Sequence, residues 1–113
     1  MVEGPVTPAT PVSAQNPENT PVDSAVRTIP LVGRLDAVNA PKFENRLRTE
    51  TDGIEMLILD MKNLEYVSSA GLRVLLQAEK RMSERGGMKV INVSDDVMDV
   101  FRATGFTEIL TIE

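Results

Sequence analysis

The chain has no cysteine, no histidine and no tryptophan, and only one tyrosine and three phenylalanines in 113 residues. Without cysteine there is no disulfide, no thiol nucleophile and no thiolate metal site. Without histidine the chain lacks the usual general base and the commonest metal ligand, and most familiar hydrolase mechanisms go with it. Composition alone therefore weighs against an enzyme, and no cofactor is expected. Positive charge is also scarce: 12 Lys and Arg stand against 17 Asp and Glu, a net charge of −5. A chain of this balance is not expected to bind nucleic acid or an anionic membrane. No signal sequence or long apolar run is seen, so a soluble, cytoplasmic protein is expected.

What is present divides unevenly. Residues 1–24 hold five of the seven prolines and three acids (Glu3, Glu18 and Asp23), with no Lys or Arg and no hydrophobic periodicity. That composition predicts a disordered Pro/Thr-rich tail. Residues 25–113 have the apolar patterning of one small domain.

Ala25 to Gly33 reads as a strand anchored by Val26, Ile29 and Val32, with Pro30 at an unpaired edge or a bulge. Gly33 to Asp36 is predicted to turn the chain. A helix capped by Asn39, with Pro41 in its first turn, should run to about Thr51. The unbroken apolar run Met56–Leu59 predicts a strand covered on both faces, closed by Asp60. Leu64 and Tyr66 are expected to tuck against the core from the loop that follows. At 100° per residue, Leu72, Leu75, Leu76, Ala78 and Met82 share one arc of a helix over 70–85, and Arg73, Gln77, Lys80, Arg81 and Glu84 the other. Gly86 and Gly87 end that helix. A strand over 88–93, a helix over 95–103 capped by Ser94, and a strand over 108–112 complete the chain. Strand and helix alternate throughout, which predicts an α/β fold with a small, mostly parallel sheet of four to five strands and right-handed crossovers.

Ser68 and Ser69 stand where a strand and loop give way to a helix. Chemistry alone allows each to be a helix cap, worth about 1 kcal/mol, or a modifiable hydroxyl where phosphate would add roughly −1.5 to −2 charges. Catalysis by either is poorly supported, because no histidine and no Gly-x-Ser-x-Gly elbow accompany them. Asp36 and Asp60 are predicted at strand ends, where α/β domains gather binding sites. Beside a hydroxyl, two carboxylates have the chemistry to hold Mg²⁺ or form a polar cluster. Turn and cap roles explain each of them singly. The polar arc Arg73, Gln77 and Lys80 continues from the serines and would extend any surface centred on them.

These residues together resemble the STAS family, and within it the bacterial anti-sigma factor antagonists. The resemblance rests on the runs Gly33–Asp36, Leu57–Asp60, Tyr66–Leu72, Gly86–Gly87 and Val100–Phe106. It implies a switch protein: unphosphorylated, it binds a serine-kinase anti-sigma factor; phosphorylated by that kinase, it lets go; a metal-dependent serine phosphatase resets it. The family motif, commonly Asp-Ser-Ser/Thr/Ala-Gly-Leu, aligns through Ala70, Gly71 and Leu72. That places Ser69 at the phosphoacceptor and Ser68 at the seat of the usual aspartate. The resemblance also implies an edge strand before the one containing Val32, for which the proline-rich segment offers no obvious counterpart. The implied partner surface comprises Asp36, Asp60, Ser68, Ser69, Ala70, Gly71, Arg73, Gln77 and Lys80, with a monomer expected. Other classes remain open: a STAS interaction module of a transporter or stress-signalling assembly that is never phosphorylated, or a small-ligand or nucleotide-binding domain.

Overall fold

The computed structural model describes residues 25–113; the segment read above as a tail lies outside them. Four strands pair in chain order, β1 (Val26–Leu35), β2 (Met56–Val67), β3 (Gly87–Ile91) and β4 (Thr111–Ile112), and all three pairings are parallel. Three helices connect them: α1 (Ala40–Glu50), α2 (Ser69–Ser83) and α3 (Asp95–Thr104). The α/β expectation holds, with four strands.

A parallel sheet laid down in chain order by right-handed crossovers gathers its connecting helices on one face. Burial alternates to match. Ile29, Leu57, Leu59, Met88 and Val90 are buried and share one core with Leu47, Leu75, Met82, Val97 and Phe101. Each large aliphatic side chain so buried contributes about 1.5–3 kcal/mol of transfer free energy. The alternate set is less covered: Thr28 and Pro30 are exposed, and Met56 and Ile58 half-buried. The apolar run Met56–Leu59 is therefore well covered on one face only, among the described residues. Val26 and Val32, expected as anchors, are 38% and 72% exposed. The inward side chains of β1 are Ile29, Leu31 and Leu35.

Both long strands run further than the sequence pattern predicts. β1 continues through Gly33, which takes φ +80° inside the strand, to Leu35. β2 continues past Asp60 to Val67. Two register shifts explain this. Between Pro30 and Val32, β1 advances to pair with Asn63 instead of the next residues in step, and a second shift falls between Gly33 and Arg34. Each bulge inserts an extra residue in β2 and bends the ribbon. Tyr66 consequently lies on a strand, 40% exposed, under the Arg34 guanidinium at 4.2 Å from its ring centroid. It does not tuck into the core, whereas Leu64 is buried as expected. At the other end of the chain, a 3-10 turn over Phe106–Glu108 shortens β4 to two residues.

Two contacts lock α2 in place at its far end. The Arg85 guanidinium donates to the carbonyls of Thr51 and Ile54 at 2.6 and 3.0 Å, closing the turn between α1 and β2. Gly86 N donates to the Glu55 carbonyl at 2.6 Å, so close that a Cβ there would overlap that oxygen.

Among the described residues, Glu79, midway along α2, is the one carboxylate the fold treats badly. Its Oε1 is buried with no hydrogen-bond partner among the described residues, and desolvation raises its pKa. A raised carboxyl pKa means the folded state holds the proton more tightly. Stability is then full below the ordinary glutamate range and falls as pH rises through the raised value. Glu79→Gln should therefore leave the thermal midpoint unchanged near pH 4 and raise it near pH 7. Melting curves at the two pH values test this.

Candidate functional site

The site is built where β1 and β2 end together. Leu35 pairs with Val67, and the chain leaves β2 directly into Ser68. Ser68 N donates to the Leu35 carbonyl at 2.9 Å, tying the start of α2 to the end of β1. Ser68 has the extended backbone of an N-cap, and its Oγ accepts from Gly71 N at 3.3 Å. Its carbonyl accepts from Leu72 N at 2.8 Å. Those contacts make Ser68 the cap, and Ser68→Ala should cost about 1 kcal/mol, read by chemical denaturation.

Ser69, by contrast, is the first residue of the helix and is exposed. Its hydroxyl has no hydrogen-bond partner among the described residues. The backbone N–H groups of Ser69 and Ala70 are too early in the helix for an intrahelical acceptor, so they contribute partial positive charge beside that hydroxyl. No acidic residue lies in the first turn of α2. The structure thus separates two serines that composition left equivalent: one is used by the fold, the other is free.

Gly71 explains how the helix comes so close. A Cβ on it would lie 2.7 Å from the Leu35 carbonyl oxygen, 2.8 Å from Leu35 Cγ and 2.9 Å from Val67 Cγ2. Only a glycine lets the first turn of α2 rest on the paired ends of the two strands.

Asp36 follows Leu35 and stands one residue beyond the last strand pair, at the same end as Ser68. Its Oδ1 accepts from Val38 N at 3.0 Å and Asn39 N at 3.2 Å, and its own N–H donates to Asn39 Oδ1 at 2.8 Å. Asn39 occupies the N-cap position of α1, but its side chain does not cap the helix. It is spent on this reciprocal pair and on the Arg34 carbonyl. The capping expectation for Asn39 is therefore corrected: Asp36 supports the turn, and Asn39 fastens it to β1.

Asp60 is elsewhere. It pairs with Pro30 and Ile91, five residues of β1 below Leu35, which at about 3.3 Å per residue is roughly 16 Å from the serine end. Its Oδ1 accepts from Asn92 Nδ2 and from Lys62 N, each at 3.0 Å. The Asn92 hydrogen bond, then the Lys62 N–H, hold its pKa below the usual aspartate value. A lowered pKa gives stability that is present above the ordinary aspartate range and lost as pH falls through the lowered value. Asp60→Asn should abolish that acid-side loss, visible as a flatter stability profile below about pH 4. Asp36 and Asp60 do not converge, and among the described residues no group of three or more Asp and Glu is placed to hold a metal ion.

Arg73, Gln77 and Lys80 are exposed along the outer face of α2, Ala70 is half-buried and Gly71 buried. Beside them an open groove of about 240 Å³ runs between α1 and α2, with Ala37, Pro41 and Glu44 on one wall and Ala70, Arg73 and Gln77 on the other. Sequence reasoning missed the α1 wall and missed Val38, 84% exposed at the turn. The available signal was a valine in a stretch otherwise made of turn and cap residues.

A profile of the STAS domain matches residues 17–113. The chain belongs to the STAS family. A STAS relative from Bordetella bronchiseptica, BtrV, is a proposed anti-sigma factor antagonist; it is 33% identical over 84 residues, covering 73% of this chain and 72% of its own length. The anti-sigma-B factor antagonist of Listeria monocytogenes is 31% identical over 86 residues, covering 74% and 75%. Among solved STAS structures, the anti-sigma factor antagonist SpoIIAA in its unphosphorylated form superposes with a TM-score of 0.68 at 19% identity, covering 80% of this chain and 81% of that one. SpoIIAA of Bacillus in its phosphorylated form gives 0.61 at 18% identity, covering 80% and 84%. At those identities the superpositions establish the fold. The two sequence relatives are thus both named as anti-sigma factor antagonists. No helix among the described residues is long and apolar enough to cross a membrane.

Proposed function

We propose that this STAS protein is a phosphorylation-controlled antagonist of an anti-sigma factor: it binds a serine-kinase anti-sigma factor when Ser69 is free and releases it when Ser69 is phosphorylated. The observation that carries the reading is the free, exposed hydroxyl of Ser69 on a helix start whose fold-bearing contacts all belong to Ser68 and Gly71. A phosphate added there meets unpaired N–H groups at the positive end of α2 and leaves the cap intact. It acts on the partner instead, by bringing charge, bulk and bound water into a surface that had offered a neutral hydroxyl. Asp36 beside the site adds negative charge to the same surface; Asp60 is too far away to share in it.

Arg73, Gln77, Lys80 and the groove toward α1 extend the surface available to that partner. A metal-dependent serine phosphatase resets the switch in this reading. Capture with the unphosphorylated chain as bait should retain a serine kinase. Incubation of that kinase with ATP and this chain should add a single phosphate at Ser69, located by mass spectrometry, and release the complex. A retained partner that never modifies Ser69 would make the protein a non-switching interaction module.

A further inference from the structure

Ser69 and Arg73 both lie on α2, one helical turn apart, and both are exposed. At 100° and 1.5 Å per residue they stand within about 40° of one another and about 6 Å apart along the axis. Side chains at this spacing meet on the helix surface. Helical side chains also lean toward the N-terminus, so Arg73 reaches over the turn that begins at Ser69. An acid ahead of a base at this spacing is the favourable order, and phosphoserine at position 69 would create it.

Arg73 is otherwise unspent. It forms no ion pair and no side-chain hydrogen bond among the described residues. The acid that shares its groove is Glu44 on α1, already held by Arg48 at 3.0 Å. Other cations are badly placed for Ser69. Lys80 shares the exposed stripe of α2 but stands about 16 Å further along the axis. Arg34 lies over the Tyr66 ring and pairs with Asp36.

We propose that Arg73 takes up the phosphate on Ser69, pairing with it across one turn of α2, so that phosphorylation also withdraws the nearest α2 cation from the docking face. This rests on the reading of Ser69 as phosphoacceptor and deepens it. While Ser69 is a hydroxyl, the Arg73 guanidinium is open to a carboxylate of the anti-sigma factor. A phosphate one turn away outcompetes that carboxylate, because it is intramolecular and offers up to two charges on three acceptor oxygens. The phosphate thus acts twice, adding negative charge at 69 and cancelling positive charge at 73. Asp36, at the same end of the sheet, opposes the dianion and the N–H groups of α2 favour it, whichever residue stands at 73.

Phosphoserine installed at position 69 during synthesis of the full chain tests this without any kinase; aspartate is a poor stand-in, having one charge on a shorter arm. The second ionisation of that phosphate, followed by phosphorus NMR, should have a midpoint about 0.3–0.5 pH unit lower with Arg73 present than in Arg73→Gln. Arg73→Lys keeps the charge but not the planar fork and should fall between them. Arg81→Gln, the same loss of charge about 18 Å along α2 from Ser69, should leave the midpoint unchanged. Equal midpoints for Arg73→Gln and the parent chain, both folded, would overturn the proposal. Affinity for the captured partner gives a second readout. Arg73→Gln should weaken the hydroxyl form about tenfold and the phosphorylated form hardly at all; equal losses in both forms would also overturn it. A captured kinase that leaves Ser69 unmodified would end the switch reading and this regulation with it, a result distinct from equal phosphorus midpoints, which end the Arg73 pairing alone.

Discussion

Gly71→Ala is expected to destabilise the domain by about 1–3 kcal/mol, the usual cost of forcing a methyl group into a packed site. The sign is the informative part. In an unencumbered helix the same change would gain about 1 kcal/mol, since glycine is a poor helix former. Here the new Cβ would lie 2.7–2.9 Å from Leu35 and Val67 atoms, and the nearest is a backbone carbonyl oxygen. That carbonyl already accepts from Ser68 N at 2.9 Å and belongs to the last residue pair of β1 and β2. It cannot retreat without loosening both. Relief has to come from α2 lifting off the strand ends, which takes the Ser68 cap with it. For a domain of this size the thermal midpoint should fall by about 4–8 °C per kcal/mol. Gln77→Ala, on the exposed face of the same helix, should stay within about 0.5 kcal/mol and serves as the control. A midpoint that rises in the Gly71→Ala chain would mean the helix start has slack, and the close seat described here is wrong.

The same junction shows what could be read from residues and what could not. Ser94 was legible as a cap, and its Oγ accepts from Val97 N at 3.3 Å; Gly105 was legible as a stop and takes φ +80°. Both are local rules in which one residue type satisfies its own neighbours. The lengths of β1 and β2 were not legible, because the buried positions of β2 change spacing along the strand: Leu57, Leu59 and Met61 alternate, then Leu64 and Val67 come at threes. Period-two reading ends where the bulges begin. That error carried into the site. Ending β2 at Asp60 put its carboxylate at the working end of the sheet, whereas the strand runs seven residues further, to Val67. Ser68 and Ser69 were equivalent to a capping rule; the bond from Gly71 N to Ser68 Oγ, together with those from Ser68 N to the Leu35 carbonyl and from Leu72 N to the Ser68 carbonyl, distinguishes them.

Ser69→Asp should leave the fold as stable as before, or slightly more so, while sharply weakening capture of the anti-sigma factor partner. The two halves of that expectation come from one geometry. An acidic side chain in the first turn of a helix is stabilising by about 0.3–1 kcal/mol, and α2 has none there. Ser69 is exposed and its hydroxyl supports no other group among the described residues, so nothing in the domain is lost. A partner docked over the helix start meets a carboxylate in place of a hydroxyl, and an unpaired interfacial charge costs about 2–5 kcal/mol. That corresponds to a loss of affinity of roughly 30-fold or more, since 1.4 kcal/mol is about tenfold. Ser69→Ala should bind as the unmodified chain does and be refractory to the kinase. Ser68→Asp provides the comparison: it returns a carboxylate to the cap, where it can accept from Gly71 N as Ser68 Oγ does, and should stabilise α2. Calorimetric affinity for the captured partner, set beside melting midpoints for the same four chains, separates the outcomes. Equal affinity for Ser69→Asp and the unmodified chain, with both folded, would remove Ser69 from the interface and the switch with it.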